Sequence, residues 1–288
     1  MQIEHDEVSG QKTTGHEWDG IKELDTPVPK WAKWAYIITS LVALGGWILY
    51  PAIPLGSDFT RGLFGTTSRA NVLEAVKEAE VVREKDEADL IDGDLYDLVD
   101  DPTIRAKYES AARVLFTDNC AACHGRDLKG QTGFPNLVDD SWLFGDDLDE
   151  IEWTIRYGIN ANNDDTRYSE MPAFGRDEML EQADIKNVAE YVLSLSGAEH
   201  DATLAKAGSE VFENECSACH GETGEGVGIG APNLTDSFWI YGGTRKDILE
   251  TLENGRAGHM PSWDKRLKDA DIKKLVLYLN WSKDNGED

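Results

Sequence analysis

The sequence has little positive charge, little of the pattern that forms strands, and few sulfur-containing side chains. Lysine and arginine number 28 against 55 aspartates and glutamates, giving a formal net charge of -27 at pH 7. A surface of this sign repels a phosphate backbone, so nucleic acid is not an expected partner. The acidity suits either attraction of a basic protein partner or solubility in a salty medium, and the sequence leaves both interpretations open.

Long apolar runs are scarce too, with one exception. Residues 34–56 are 23 residues without a charge, enough at about 1.5 Å per residue to cross a hydrocarbon core of about 30 Å. Aromatic side chains at both ends are typical of membrane interfaces, and a buried core helix is the alternative. Pro51 and Pro54 predict that the helix ends or kinks near Tyr50 to Ile53. Because 33 residues precede the run and no small-residue cleavage site follows it, we expect an uncleaved membrane anchor.

The remainder of the chain contains an internal duplication. The segment "PNLVDDSWLFG" (Pro135 to Gly145) matches "PNLTDSFWIYG" (Pro232 to Gly242), and "MPAF" from Met171 matches "MPSW" from Met260. Segments on either side follow in the same order with similar spacing. A pattern present only twice predicts two tandem domains rather than a solenoid, and we expect each copy to fold on its own.

Apolar residues recur at helical spacing in both copies, and alternating Val, Ile and Thr runs are absent, so the expected fold class is all-α. Helices are predicted before each cysteine motif, in the "TI" and "TL" segments, and over 183–195 and 270–281. A surface helix is expected over 71–89, followed by an acidic linker that ends at Pro102. The predicted organisation is an N-terminal segment, an anchor, a helix with its linker, and two domains: 1–33, 34–56, 57–102, 103–198 and 199–288.

All four cysteines lie in two copies of Cys-x-x-Cys-His. Cys120, Cys123 and His124 form the first copy, and Cys216, Cys219 and His220 form the second. This is the attachment sequence of c-type haem, in which both thiols bond to the porphyrin and the imidazole becomes an axial iron ligand. A redox-active thiol pair or a zinc site are the alternatives, but neither explains a histidine directly after both pairs. The sequence therefore predicts two covalent haem c groups.

Each iron then needs a second axial ligand, and the duplicated Met-Pro supplies a candidate. Met171 and Met260 lie 47 and 40 residues after His124 and His220. A thioether raises the reduction potential relative to a second imidazole, and a six-coordinate iron relays electrons without binding a substrate. A packing role for both methionines, or ligation of the second haem by His259, are the alternatives. Pro135 and Pro232 are expected to accept hydrogen bonds from the Nδ1 atoms of the histidines, and four aromatic residues to pack against the haems: Trp142, Trp239, Trp263 and Phe174.

The segment "WDGIKELDTPVPKWAKW" (Trp18 to Trp34), the single anchor and two repeats with "GFPNLVDDSWLFG" and "APNLTDSFWIYGG" resemble one known family. The chain resembles, over nearly its whole length, the dihaem subunit of cbb3-type cytochrome c oxidase, the CcoP or FixP family. The resemblance implies two tandem class I cytochrome c domains. It also implies axial pairing of His124 with Met171 and of His220 with Met260, although residues 159–172 are longer and more acidic than the family pattern.

The resemblance further implies transfer of electrons from a cytochrome c donor to a monohaem subunit and then to a catalytic haem-copper subunit that reduces O2. No catalytic residue is expected on this chain. Because haem is attached outside the cytoplasmic membrane, we expect the haem domains to be periplasmic, with a cytoplasmic N-terminus and the anchor in the inner membrane. The alternatives are a freestanding membrane-anchored dihaem carrier for a dehydrogenase or a nitrogen-oxide reductase, and a sensory module with an open haem.

Overall fold

The computed structural model describes residues 3–283, and its contacts divide the chain into two compact units, residues 1–84 and 85–288. The ends of the predicted first and last segments, residues 1–2 and 284–288, lie outside the described residues. The described part is mostly helical, in agreement with the predicted all-α class. Its two strands form an N-terminal hairpin that the sequence pattern did not predict.

The first unit contains this hairpin and the apolar helix. Strands β1 (Thr13–Trp18) and β2 (Ile21–Leu24) pair antiparallel, joined by Asp19 and Gly20, which both have positive φ as a two-residue hairpin turn requires. Helix α1 (Lys30–Leu49) has no buried residue and is the described helix long and apolar enough to cross a membrane. It ends before Pro51, as predicted. Helix α2 (Ser68–Asp86) also buries no residue and confirms the predicted surface helix.

The second unit contains ten helices within its described residues. Six lie before the junction of the two repeats and four after it: α3 (Ala88–Asp92), α4 (Leu95–Val99), α5 (Pro102–Asn119), α6 (Ala121–His124), α7 (Leu148–Tyr157), α8 (Gln182–Leu195), α9 (Ala202–Glu215), α10 (Ser217–His220), α11 (Arg245–Asn254) and α12 (Asp269–Lys283). The helices predicted at 183–195 and 270–281 are confirmed to within two residues at each end. Asp101 and Asp201 cap α5 and α9 by accepting hydrogen bonds from backbone N–H groups.

The acidic segment predicted to be a linker is part of the core, so that prediction is wrong. Helices α3 and α4 contact α12, and the side chains of Leu90, Leu95 and Leu98 are buried in its hydrophobic cluster. The acidic residues between them leave one face of each short helix apolar. Lys273 strengthens the contact, since its Nζ donates to three backbone carbonyls at the end of α3, including that of Gly93 at 2.8 Å.

The two repeats do not fold separately, which corrects the expectation of independent domains. Helix α12, which closes the second repeat, packs on α5 and α7 of the first. Helix α8, which closes the first repeat, packs on α9 and α11 of the second. Two hydrophobic clusters result, and each combines the early part of one repeat with the late part of the other. We call them the first cluster, around α5, and the second cluster, around α9.

The chain crosses between the clusters at two equivalent glycines. Gly158 follows α7 and Gly255 follows α11, with φ of 74° and 68°. A Cβ atom at Gly158 would lie 2.3 Å from the carbonyl oxygen of Met260, and one at Gly255 would lie 2.4 Å from that of Met171. Only glycine therefore suits both the backbone conformation and the close approach of the other strand.

Backbone hydrogen bonds join the two chain segments that cross between the clusters. Ile159 and Met260 exchange N–H to O bonds of 3.0 and 2.9 Å, and Met171 and Arg256 exchange bonds of 2.8 and 3.0 Å. The extra residues of the first loop do not disturb this pairing, because they close on themselves: the N–H of Arg167 donates to Gly158 O at 3.0 Å. The longer loop thus leaves Met171 in the position equivalent to Met260.

Candidate haem sites

Each Cys-x-x-Cys-His motif forms one helical turn after a long helix. In the first motif, Cys123 N and His124 N donate to Cys120 O at 3.1 and 3.0 Å, and the second motif has the same two bonds at 3.1 and 3.0 Å. The four cysteines are free, and Cys123 and Cys219 are exposed. The predicted attachment residues therefore meet in the same local geometry in both copies.

The histidines are fixed by the carbonyl groups predicted for them. His124 Nδ1 lies 3.1 Å from Pro135 O, and His220 Nδ1 lies 2.9 Å from Pro232 O. A carbonyl oxygen only accepts, so Nδ1 carries the hydrogen and Nε2 offers its lone pair. Burial lowers the pKa of both imidazoles, which favours the neutral form that binds a metal.

Burial has the opposite effect on the first cysteine of each motif. It raises the pKa of Cys120 and of Cys216 to about 11, so both are protonated thiols at neutral pH. A redox-active Cys-x-x-Cys pair needs a cysteine with a lowered pKa, because the thiolate is the nucleophile. Among residues 3–283, no three His, Cys, Asp or Glu side chains are close enough to hold a metal ion. The thiol and zinc alternatives therefore find no support in either turn.

The methionines lie in exchanged positions. Met260 packs against the first cluster together with Cys120 and Trp142. Met171 packs against the second cluster, in which Cys216 is buried. The pairing expected from the family resemblance, His124 with Met171 and His220 with Met260, is therefore not the one that the packing favours.

The predicted aromatic residues divide between the clusters in the same way. Trp142 and Trp263 belong to the first cluster, although they come from different repeats. Phe174 and Trp239 belong to the second. His259, the alternative ligand, is exposed, and its Nδ1 lies 2.9 Å from Asn160 O. This contact gives the imidazole a partner outside both clusters.

Sequence reasoning missed three pairs of residues at these sites. The crossover glycines, Gly158 and Gly255, were visible as the last residue of "IEWTIRYG" and "ILETLENG". Arg167 and Arg256 precede Met171 and Met260 by four residues, and their guanidinium groups stack on the rings of Phe144 and Tyr241. The third pair, Asp139 and Asp236, lies where the two repeated "PNL" segments meet. The signal in each case was a residue repeated at equivalent positions.

The repeated segments interlock across the two halves. Gly133 N donates to Ile240 O at 2.6 Å, and Gly230 N donates to Leu143 O at 2.8 Å, so the same bond occurs twice with the repeats reversed. A cavity of about 130 Å³ lies beside this contact. It is lined by Trp142, Asp236 and eleven other residues, most of which come from the two "PNL" segments. The two sites thus lie in one compact unit, joined by contacts between the repeats.

These observations fit covalent haem c. Each site combines two thiols in one turn, a neutral imidazole with its Nε2 free, and a thioether and a tryptophan in the same apolar cluster. Thiols and a histidine at this spacing are the residues that c-type attachment uses, and His with Met is an axial pair of cytochromes c. The donor sets therefore suit the cofactor that the sequence predicts.

Comparison with known protein families agrees with this geometry. Residues 10–57 match the family described as the N-terminal domain of cytochrome oxidase-cbb3, FixP. Residues 109–192 and 203–279 match the family described as cytochrome C oxidase, cbb3-type, subunit III. The first matched segment ends just before the junction of the repeats, and the second begins just after it.

Individual relatives are similar over almost the full length. The Cbb3-type cytochrome c oxidase subunit CcoP of Cereibacter sphaeroides is 44% identical over 274 residues, which are 93% of each chain. The subunit FixP of a Bradyrhizobium strain is 45% identical over 279 residues, 96% of each chain. The subunit CcoP of Azospirillum brasilense is 43% identical over 289 aligned residues, 97% of each chain.

Proposed function

Since this chain belongs to the family of subunit III of cbb3-type cytochrome c oxidases, we propose that it relays single electrons through two covalently bound haem c groups to the rest of the oxidase. The observation that carries the proposal is the repeated site, in which a histidine fixed by a proline carbonyl follows two thiols in one turn. Both turns lie in a single packed unit, as a relay between two centres requires.

Each site takes ligands from both repeats. Cys120, Cys123 and His124 would hold the first haem together with Met260, which packs in the first cluster. Cys216, Cys219 and His220 of the second motif would hold the second haem together with Met171, which packs in the second cluster. A haem c bound in this way supplies reversible one-electron chemistry at its iron.

The surrounding residues adjust that chemistry without reacting themselves. The carbonyls of Pro135 and Pro232 keep each imidazole in one tautomer and orientation. When haem is bound, the methionine thioethers would favour the reduced iron, and a histidine together with a methionine would leave no place for O2 to bind. The chain therefore carries no catalytic residue, and reduction of O2 takes place on another subunit.

The apolar helix α1 supports a membrane location. Helix α1 anchors the chain in the cytoplasmic (inner) membrane as a single span. Haem is attached outside that membrane, so the unit from Lys85 onward is periplasmic and the N-terminus is cytoplasmic. Lys22, Lys30 and Lys33 before the apolar run, against Arg61 and Arg69 after it, give a slight bias toward this orientation under the positive-inside rule. The proposed partners are a cytochrome c donor, a monohaem cytochrome subunit and a catalytic haem-copper subunit.

Two measurements on the native protein test this function. Mass spectrometry of the mature chain should find the added mass of two haems, and purification in mild detergent should recover the chain with a large polytopic subunit that contains haem and copper. A chain with two haems that purifies alone would instead indicate a freestanding electron carrier. Stoichiometric binding of carbon monoxide to the reduced chain would indicate an open haem and contradict both Met assignments.

A further inference from the structure

An arginine stacks on an aromatic ring at an equivalent place in each site. The guanidinium carbon of Arg167 lies 4.7 Å from the centroid of the Phe144 ring, and that of Arg256 lies 4.6 Å from the centroid of the Tyr241 ring. Phe144 and Tyr241 occupy the same position in the two "PNL" segments. The stack is thus present in both halves despite the longer first loop.

The backbone assigns each arginine to one site. Arg256 pairs through its N–H and C=O with Met171, so it belongs to the second site. Arg167 forms a bridge with Ile159, whose backbone pairs with Met260, so it belongs to the first site. Each site therefore contains one arginine beside the methionine that we propose as its axial ligand.

The two guanidinium groups differ in their partners. Arg167 forms an ion pair with Glu150 and also donates to the Glu150 carbonyl at 3.2 Å. Arg256 donates from Nε to Thr251 Oγ1 at 3.0 Å, and within residues 3–283 no carboxylate is hydrogen-bonded to its guanidinium. Both arginines keep unused donors: the Nε of Arg167 is buried with no described partner. Arg256 is half-buried, and within residues 3–283 its one described side-chain hydrogen bond uses Nε, which leaves its Nη atoms available.

A difference in helix capping explains the asymmetry. Glu150 and Asp247 are both the third residue of their helices, α7 and α11. Asp247 forms a capping box with Thr244, accepting from Thr244 Oγ1 at 2.6 Å. The equivalent cap residue of α7, Asp147, makes no side-chain cap bond. Glu150 is free of this role and one methylene longer, so it forms an ion pair with the arginine. Asp247 is held at the cap and acts on Arg256 through its charge, without a hydrogen bond.

We propose that Arg167 and Arg256 are positioning residues for the carboxylate side chains of the two haems, and that Glu150 makes the first haem harder to reduce than the second. The proposal rests on the proposed function. Arginine presents a planar pair of donors that matches a carboxylate, and the aromatic stack holds that plane in place. Reduction removes one positive charge from iron, so a nearby cation favours the reduced state and a carboxylate paired with that cation opposes it.

Redox titration of the full chain in detergent tests the order of the potentials. The couple that disappears in Cys216→Ala/Cys219→Ala is assigned to the second haem. We expect the second haem to have the higher midpoint potential, and Arg256→Gln to lower it by an amount equivalent to about a tenfold change in the reduced-to-oxidised ratio, about 59 mV for one electron. Arg256→Lys keeps the charge but not the planar donors, so it should restore part of the shift.

Two further variants complete the test. Glu150→Gln should raise the midpoint of the first haem and leave the second unchanged. Arg176→Gln is the control, because it removes one positive charge from a side chain that is 62% exposed and paired with Asp177. A wild-type chain that carries fewer than two haems would contradict the proposed function itself. Two intact haems whose midpoints do not move in Arg256→Gln and Glu150→Gln would overturn only the role of the arginines.

Discussion

The two candidate haem sites are built alike at their Cys-x-x-Cys-His turns and differ where the repeats meet. In the second half, Asp236 Oδ2 accepts a hydrogen bond from Ser141 Oγ at 2.9 Å across the interface. The residue equivalent to Ser141 is Phe238, which has no hydroxyl, and Asp139 Oδ2 is buried without a described partner. The duplication therefore supplies two equivalent frameworks, and single substitutions within them give the two sites different electrostatic surroundings.

Both repeats need a glycine at the crossover, Gly158 in the first and Gly255 in the second. Substitution of either glycine should therefore cause the largest loss of stability. Gly158→Ala or Gly255→Ala places a methyl group against a backbone carbonyl at positive φ. We expect each variant to destabilise the second unit, residues 85–288, by about 4 kcal/mol. Chemical denaturation of the full chain, followed by far-UV circular dichroism, measures this loss.

Gly197→Ala is the matched control for the crossover variants. Its φ is 71°, but a Cβ atom there would meet nothing within 4 Å, so only the conformational cost of about 1 kcal/mol applies. Equal losses at all three positions would show that close approach of the crossing strands contributes nothing to stability.

The second comparison concerns the short helices that cover only the first cluster. Leu90 is fully buried between α3 and the rest of that cluster, so Leu90→Ala should cost about 3 kcal/mol through lost burial and the cavity that remains. Leu73→Ala on α2 is the control, since Leu73 is 59% exposed and its loss should be within about 0.5 kcal/mol of zero. An equally small loss for Leu90→Ala would mean that the acidic segment is a linker after all.

The smallest expected effect concerns the unmatched aspartate. Burial, and then the charges of Asp236 and Asp140, raise the pKa of Asp139 above its usual value near 4. A raised pKa in the folded state means that ionisation above that pKa opposes folding. Asp139→Asn should therefore stabilise the chain by about 1 kcal/mol at pH 7, and the gain should disappear as the pH falls below about 4.

Asp236→Asn is the comparison for this prediction. Asp236 accepts from Ser141 Oγ and from Phe238 N at 2.9 Å, so its carboxylate is already satisfied. We expect no gain in stability from that variant at pH 7. Thermal unfolding of both variants as a function of pH checks the pair, and a gain for Asp236→Asn as large as that for Asp139→Asn would refute the role of the missing hydroxyl.

Local features of the fold could be predicted from the sequence because local residues determine them. The haem-binding turns follow from Cys-x-x-Cys-His, the end of α1 follows from Pro51, and the carbonyl partners of the histidines follow from the repeated proline. Each depends on a few consecutive residues or on one short spacing.

The packing of α8 and α12, the closing helices of the two repeats, on the opposite repeat could not be predicted in this way. Because "MPAF" and "MPSW" carry the same signal, either methionine fits either cluster by pattern, and only the path after Gly158 and Gly255 decides between them. The linker prediction for the acidic segment was wrong for a related reason, because it used the average composition of the segment. Three leucines within it are spaced so that they pack in the first cluster: Leu90, Leu95 and Leu98. Long-range packing chooses among arrangements that are equivalent in local sequence.

The proposed exchange of Met171 and Met260 between the two haems is tested most directly in a chain that holds only the first haem, made by Cys216→Ala/Cys219→Ala. In that background Met260→Ala should convert the first haem from low spin to high spin and lower its midpoint potential, while Met171→Ala should leave its spectrum unchanged. The opposite result, a high-spin first haem in Met171→Ala and an unaltered one in Met260→Ala, would contradict the exchange of halves on which this account depends.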